Sequence, residues 1–233
     1  MSTNLSNTII LAICFLTLFV IGEILFHKCK VNAEWTRKIV HIGTGLLSLL
    51  FPILLSSHWY VLVLCSSFAI ILIVSLRFNL LKSINAIRRK SYGSMYYPLS
   101  VYTCFLFTQW FNDMHPESWA GYMIYYLPIL LLAICDPIAA LVGSKKPIVR
   151  FAMGDAFKSI GGAMGFFVSA LILTSLAFYL SSIPFIFSTI VSIIIISFST
   201  AVAEFISRNG LDNLLIPVVG SLTTYISLIY IIQ

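Results

Sequence analysis

Charge is scarce in this sequence. Charged residues fill 9% of its 233 positions, against about 25% in an ordinary soluble domain. Acids are the scarcer sign, eight against fourteen Lys and Arg. No soluble domain fits such a composition. Strands with alternating lipid and lumen faces are absent, which argues against a β-barrel. The five cysteines, Cys14, Cys29, Cys65, Cys104 and Cys135, are scattered and form no CxxC pair. That excludes a disulfide framework and a zinc site, and leaves small apolar core residues. No internal repeat and no low-complexity segment stands out. Asn7–Phe26 lacks a basic residue before it and a small-residue cleavage site after it, so it reads as a span and not as a cleaved leader.

What the chain has is apolar length. Hydrophobic residues make up 60% of it, and its mean hydropathy is +1.01. A helix needs roughly 20 residues to cross a bilayer. Eight runs qualify: Asn7–Phe26, Ile39–Ser56, Trp59–Leu76, Met95–Phe111, Trp119–Cys135, Ser159–Ser181, Ile183–Phe205 and Leu211–Ile232. The expected fold class is all-α, a polytopic helical membrane protein of about eight transmembrane helices. Residues 1–233 are expected to form a single integral-membrane domain.

The cations set the orientation. Lys28, Lys30, Arg37 and Lys38 follow the first span. Arg77, Lys82, Arg88, Arg89 and Lys90 follow the third. Lys145, Lys146, Arg150 and Lys158 follow the fifth, and Arg208 follows the seventh. All fourteen therefore fall in odd-numbered loops, while the other side shows only Asp113 and Glu117. The positive-inside rule makes the odd loops cytosolic and puts both termini outside. The net charge of +6 is thus explained by sidedness, and no nucleic-acid partner is expected. Trp35, Trp59, Trp110 and Trp119 fall at span ends, where amphipathic rings favour the interface.

Ionisable groups at membrane depth default to functional candidates. Arg37, Lys38 and His41 share one helical face. Asp136 precedes Pro137, a good N-cap with Pro at the first helical position, so the fifth span is expected to break there and a short helix to restart. A carboxylate so placed can bind Mg²⁺ through oxygen. The stretch GDAFKSIGG at 154–162 resembles phosphate-loop debris, but Phe157 stands where a P-loop needs the glycine before its lysine. No preceding strand is expected either. What remains is Lys158 with Ser159, Gly161 and Gly162 at a helix start, whose N–H groups and positive dipole end suit phosphate. Asp155 reads as a helix cap only. Glu204, Asp212 and Asn213 face one another across a turn. Together these groups supply the inventory of a metal–nucleotide site at one membrane face, and a hydrophobic alcohol could reach it laterally from the lipid.

Five motifs carry a resemblance. RKIVHIGTG at 37–45, YGSMYYP at 92–98, DPIAALVG at 136–143, KSIGG at 158–162 and AEFISRNGLDNLLIP at 203–217 resemble, in this order, the CTP-dependent polyprenol and lipid kinases. That family includes dolichol kinase, phytol kinase and the CTP-dependent diacylglycerol kinase, and some bacterial relatives are labelled phosphatidate cytidylyltransferases. The resemblance implies a multi-pass enzyme that uses CTP and Mg²⁺ to phosphorylate a lipid hydroxyl on the cytosolic face. It leans toward a phytol- or short-prenol-kinase-like enzyme, because the extra spans of the larger dolichol kinases are absent.

The resulting assignment makes Asp136, Lys158 and His41 catalytic. Arg37, Lys38, Asp136, Gly143, Lys158, Ser159, Gly161 and Gly162 bind nucleotide. Asp136, Glu204 and Asp212 hold the metal, with Asn213 in support. This chain has Cys135-Asp136 where many relatives have Gly-Asp, and Ser144-Lys145-Lys146-Pro147 where many carry a further glycine. Cytidylyl transfer to phosphatidate and CTP-dependent phosphorylation of diacylglycerol are the alternative activities. A small membrane transporter is the non-enzymatic alternative.

Overall fold

The structure is a computed structural model that describes residues 3–86, 91–116, 118, 120–153 and 156–231. Arg88, Arg89, Lys90, Glu117, Trp119, Gly154, Asp155 and Ile232 lie outside the described residues. The chain is a helical bundle. Its helices are α1 (Thr3–His27), α2 (Ala33–Ser48), α3 (Phe51–Leu54), α4 (His58–Arg77), α5 (Lys82–Asn85), α6 (Gly93–Met114), α7 (Ala120–Leu130), α8 (Asp136–Lys145), α9 (Ile160–Leu180), α10 (Phe187–Ile206) and α11 (Asp212–Ile226). Among the described residues, seven helical stretches are long and apolar enough to cross a membrane: Thr3–His27, Ala33–Leu54, His58–Arg77, Ala120–Lys145, Ile160–Leu180, Phe187–Ile206 and Asp212–Tyr230. α6 has the length for an eighth crossing but is less apolar, and it packs between α4, α7 and α11.

Two apolar layers share α7. In one, Phe15, Phe19 and Phe68 pack with Val40 and Leu64 between α1, α2 and α4. In the other, Leu127, Leu131, Phe166, Ile196 and Ile216 pack among α7, α9, α10 and α11. The outer faces keep large apolar side chains such as Ile13, Val63, Ile172 and Phe198 exposed, as lipid contact requires.

Two differences from the sequence reading concern helix ends. α2 starts at Ala33, capped by Asn32, whose side chain accepts from the Glu34 N–H at 2.9 Å. The helix thus begins ahead of the Ile39 start expected for the span, and it carries Arg37, Lys38 and His41 together. The second difference is at Asp136, where the helix does not break. Asp136 has helical dihedrals (φ −63°, ψ −48°), and the N-cap position of α8 falls on Cys135. A π-helical segment, Leu131–Cys135, joins α7 to α8. It accommodates Pro137, which has no N–H to donate and would clash in a regular turn.

Two other prolines are handled by neighbouring helices. Pro52 leaves the Ser48 carbonyl without its i+4 donor, and the Tyr125 hydroxyl donates to that oxygen at 2.8 Å. Pro128 does the same to Ile124, and the Ser221 hydroxyl donates there at 3.0 Å. In a bilayer such carbonyls must find a partner inside the protein.

A further difference is a strand pair. β1 (Arg150–Met153) and β2 (Ala156–Ser159) pair antiparallel, with Phe151 opposite Lys158. The sequence reading expected no strand before Lys158. Glu23, the ionisable residue near the end of the first span, is engaged structurally. It accepts from the Ser83 N–H at 2.8 Å and meets His27 at 3.2 Å.

Candidate active site

The four odd-numbered loops and the helix ends beside them meet around one cavity of about 740 Å³. All candidate residues but Gly161 line it. Lys158 reaches it from β2: its side chain is largely buried, while the neighbouring Phe157, also in the lining, stays exposed at the edge. Its ammonium pairs with Glu204 at the end of α10 and lies 3.4 Å from Asp212 Oδ2 at the start of α11. Both carboxylates and Lys158 are largely buried. Burial works to lower the Lys158 pKa, but the fields of Asp212, Glu204 and Asp136 outweigh it and hold it above the ordinary lysine value. The lysine stays charged. One oxygen of the pair is left over: Glu204 Oε2 is buried with no hydrogen-bond partner among the described residues.

The first motif supplies the opposite wall. Arg37 donates to the Ser91 hydroxyl at 2.8 Å. His41 Nε2 lies 3.1 Å from the Leu132 carbonyl and 3.9 Å from Asp136 Oδ2. A carbonyl only accepts, so Nε2 carries the proton, and the longer distance to Asp136 is not a hydrogen bond. The Lys38 ammonium sits over the Trp35 ring, 5.2 Å from its centroid.

The second and fifth motifs join through backbone. The Tyr92 N–H donates to the Asn209 carbonyl at 2.8 Å. Gly210 has φ +90°, and a Cβ there would stand 2.3 Å from the Gly93 nitrogen. A Cβ on Gly93 would in turn meet Asn213 Nδ2 at 2.4 Å and Arg37 Nη2 at 3.2 Å. Three motifs distant in sequence therefore close on one glycine.

The first turn of α9 differs from expectation. Its N–H groups are already engaged: Ile160 donates to Val149 O at 3.1 Å, Gly161 to Pro147 O at 3.2 Å, and Gly162 to the Ser159 hydroxyl at 3.0 Å. Ser159 is the helix N-cap. The glycines serve close packing. A Cβ on Gly143 would lie 3.2 Å from the Gly162 Cα, and one on Gly161 would lie 1.8 Å from the Lys146 carbonyl oxygen. α8 and α9 cross at this point.

Sequence reasoning missed part of the wall. Lys145, Arg150 and Arg208 were read only for sidedness, and Ser91 and Glu34 were not singled out, yet all line the cavity. Their only signal is adjacency to the motifs. Six Lys and Arg side chains face the cavity with four carboxylates. That surplus of positive charge suits a polyphosphate.

No protein-family model matches the chain, and no solved structure matches it. Its sequence is 29% identical over 218 residues to the phytol kinase of Synechocystis sp., a match covering 92% of this chain and 89% of that protein. The similarity runs through most of both chains, and it supports the resemblance to the polyprenol and phytol kinases that the five motifs carry.

Proposed function

We propose that this protein is a CTP-dependent kinase that transfers the γ-phosphate to the hydroxyl of a membrane isoprenoid alcohol, with phytol the first candidate. The carrying observation is the cavity itself. It gathers Arg37, Lys158 and Asp136 from three motifs into one cationic, carboxylate-bearing site. The name of the relative supports the alcohol class. The positive-inside pattern supports a cytosolic mouth.

Phosphoryl transfer depends on positioning and charge neutralisation more than on covalent chemistry. In this reading Lys158, charged at neutral pH, donates to β- and γ-phosphate oxygens. Arg37, held by Ser91, and Lys38 face the same anion. Asp136 orients the acceptor hydroxyl or holds the metal. Among the described residues no group of three or more His, Cys, Asp or Glu is arranged to hold a metal alone. Mg²⁺ does not need one, since it is usually bound by one or two carboxylates with water and phosphate completing its shell. Asp136 and the unpartnered Glu204 Oε2 fit that role, with Asp212 beside them. When bound, Mg²⁺ would neutralise charge building on the phosphate oxygens.

The test uses purified protein in detergent or vesicles, γ-labelled CTP, Mg²⁺, and phytol, farnesol, dolichol or diacylglycerol in turn. Labelled lipid phosphate is expected with phytol or a short prenol. A folded protein that labels none of them rejects the reading. Transfer of α-label to phosphatidate would instead establish cytidylyl transfer.

A further inference from the structure

The sequence places His41 among the catalytic candidates, but its geometry points to another task. Its Nε2–H is donated to Leu132 O. That carbonyl belongs to the π segment Leu131–Cys135. In a π register it would need the N–H of residue 137, which is proline. The same situation recurs at Ser48 and Ile124, whose carbonyls are served by Tyr125 and Ser221 across helix interfaces. At Leu132 the donor is an imidazole, and the residue that follows the π segment is Asp136.

The approach of α2 is built for this contact. One turn after His41, Gly45 faces the same segment, and a Cβ there would stand 2.4 Å from the Ala133 Cβ. Tyr97 holds the imidazole from the side, edge to face at 5.6 Å between centroids. Position, partner and ring orientation are thus all fixed.

We propose that His41 is a positioning residue: it satisfies the carbonyl that Pro137 leaves without a donor, and so holds the π register that aims Asp136 into the cavity. The catalytic consequence rests on the reading that Asp136 serves phosphoryl transfer. The hydrogen bond itself does not.

The experiment is a double-mutant cycle in the full-length protein, read by kcat/KM for prenol phosphorylation and by thermal melting in detergent. His41→Ala should lower kcat/KM by about tenfold or more, the range expected when a buried carbonyl loses its donor. His41→Gln, which keeps an N–H donor at the Nε2 position and cannot act as an imidazole base, should recover most of that loss. Pro137→Ala restores an N–H at residue 137, so His41→Ala should lose much less in that background. The idea is overturned if His41→Gln is as inactive as His41→Ala at wild-type melting temperature, or if the His41→Ala penalty is unchanged with Pro137→Ala. If the protein phosphorylates no lipid, ¹⁵N-histidine NMR still decides the structural part. A neutral His41 protonated at Nε2 supports it, and one protonated at Nδ1 alone overturns it.

Discussion

Lys158 and Glu204 form a buried ion pair between the β-hairpin and the cavity end of α10, with Asp212 as a second acidic neighbour. A cation held between two carboxylates is both a charge for a ligand and the tie that lets those carboxylates be buried.

Removing the cation should therefore leave an uncompensated acidic pair. Lys158→Met is expected to cost about 3–5 kcal/mol, seen as a fall in melting temperature by differential scanning fluorimetry in detergent. Adding Glu204→Gln to it should recover part of the fall. A double variant as unstable as the sum of both singles would refute the pairing as an energetic unit.

The pH dependence follows from the raised Lys158 pKa. A cation whose folded pKa exceeds its unfolded value contributes fully below the unfolded value and loses that contribution as pH rises through the folded one. The melting-temperature gap between wild type and Lys158→Met should stay flat from neutrality to about pH 10, the ordinary lysine range, and close only above it. A gap closing near neutrality would contradict the carboxylate fields around Lys158.

Ser159 offers a test of capping against nucleotide binding. Its hydroxyl accepts from Gly162 N–H at 3.0 Å. Ser159→Ala should cost about 1 kcal/mol of stability and leave the Michaelis constant for nucleotide near wild type. A tenfold rise in that constant without a stability change would assign Ser159 to the ligand.

Gly210 ties the second and fifth motifs together. At φ +90° with the Gly93 nitrogen 2.3 Å from its would-be Cβ, alanine is excluded both by backbone strain and by contact. Gly210→Ala should reduce the yield of folded protein severely, and size-exclusion chromatography would show it. A monodisperse variant of wild-type stability would mean that the junction can open.

Much of the site was legible before the fold. Segregation of the cations into odd loops put Arg37, Lys158 and Arg208 at one end of the bundle, and apolar run length gave the helices. What eluded the sequence is local bonding. Pro137 reads as a helix start because Asp-Pro usually is one, yet the neighbouring α2 supplies a donor that keeps the helix running through a π segment. The Lys-Ser-Ile-Gly-Gly stretch reads as an open helix terminus, yet residues 147–149 supply the carbonyls that fill it. Both departures come from partners distant in sequence or loops without periodicity. The meeting of Gly93, Arg37, Asn213 and Gly210 is of the same kind, since no spacing rule links positions so far apart.

The proline-vacated carbonyls also order the making of the protein. Helices reach the membrane from the N-terminus onward. The donor for Leu132, His41, is already in place when the π segment arrives, 91 residues later. The donor for Ser48 comes 77 residues after it, and the donor for Ile124, Ser221, comes 97 residues after it. Until α11 packs, Ile124 lacks the hydroxyl donor that it has in the finished bundle. The last helix therefore acts as a latch, and a chain halted before residue 221 lacks the donor that closes this set.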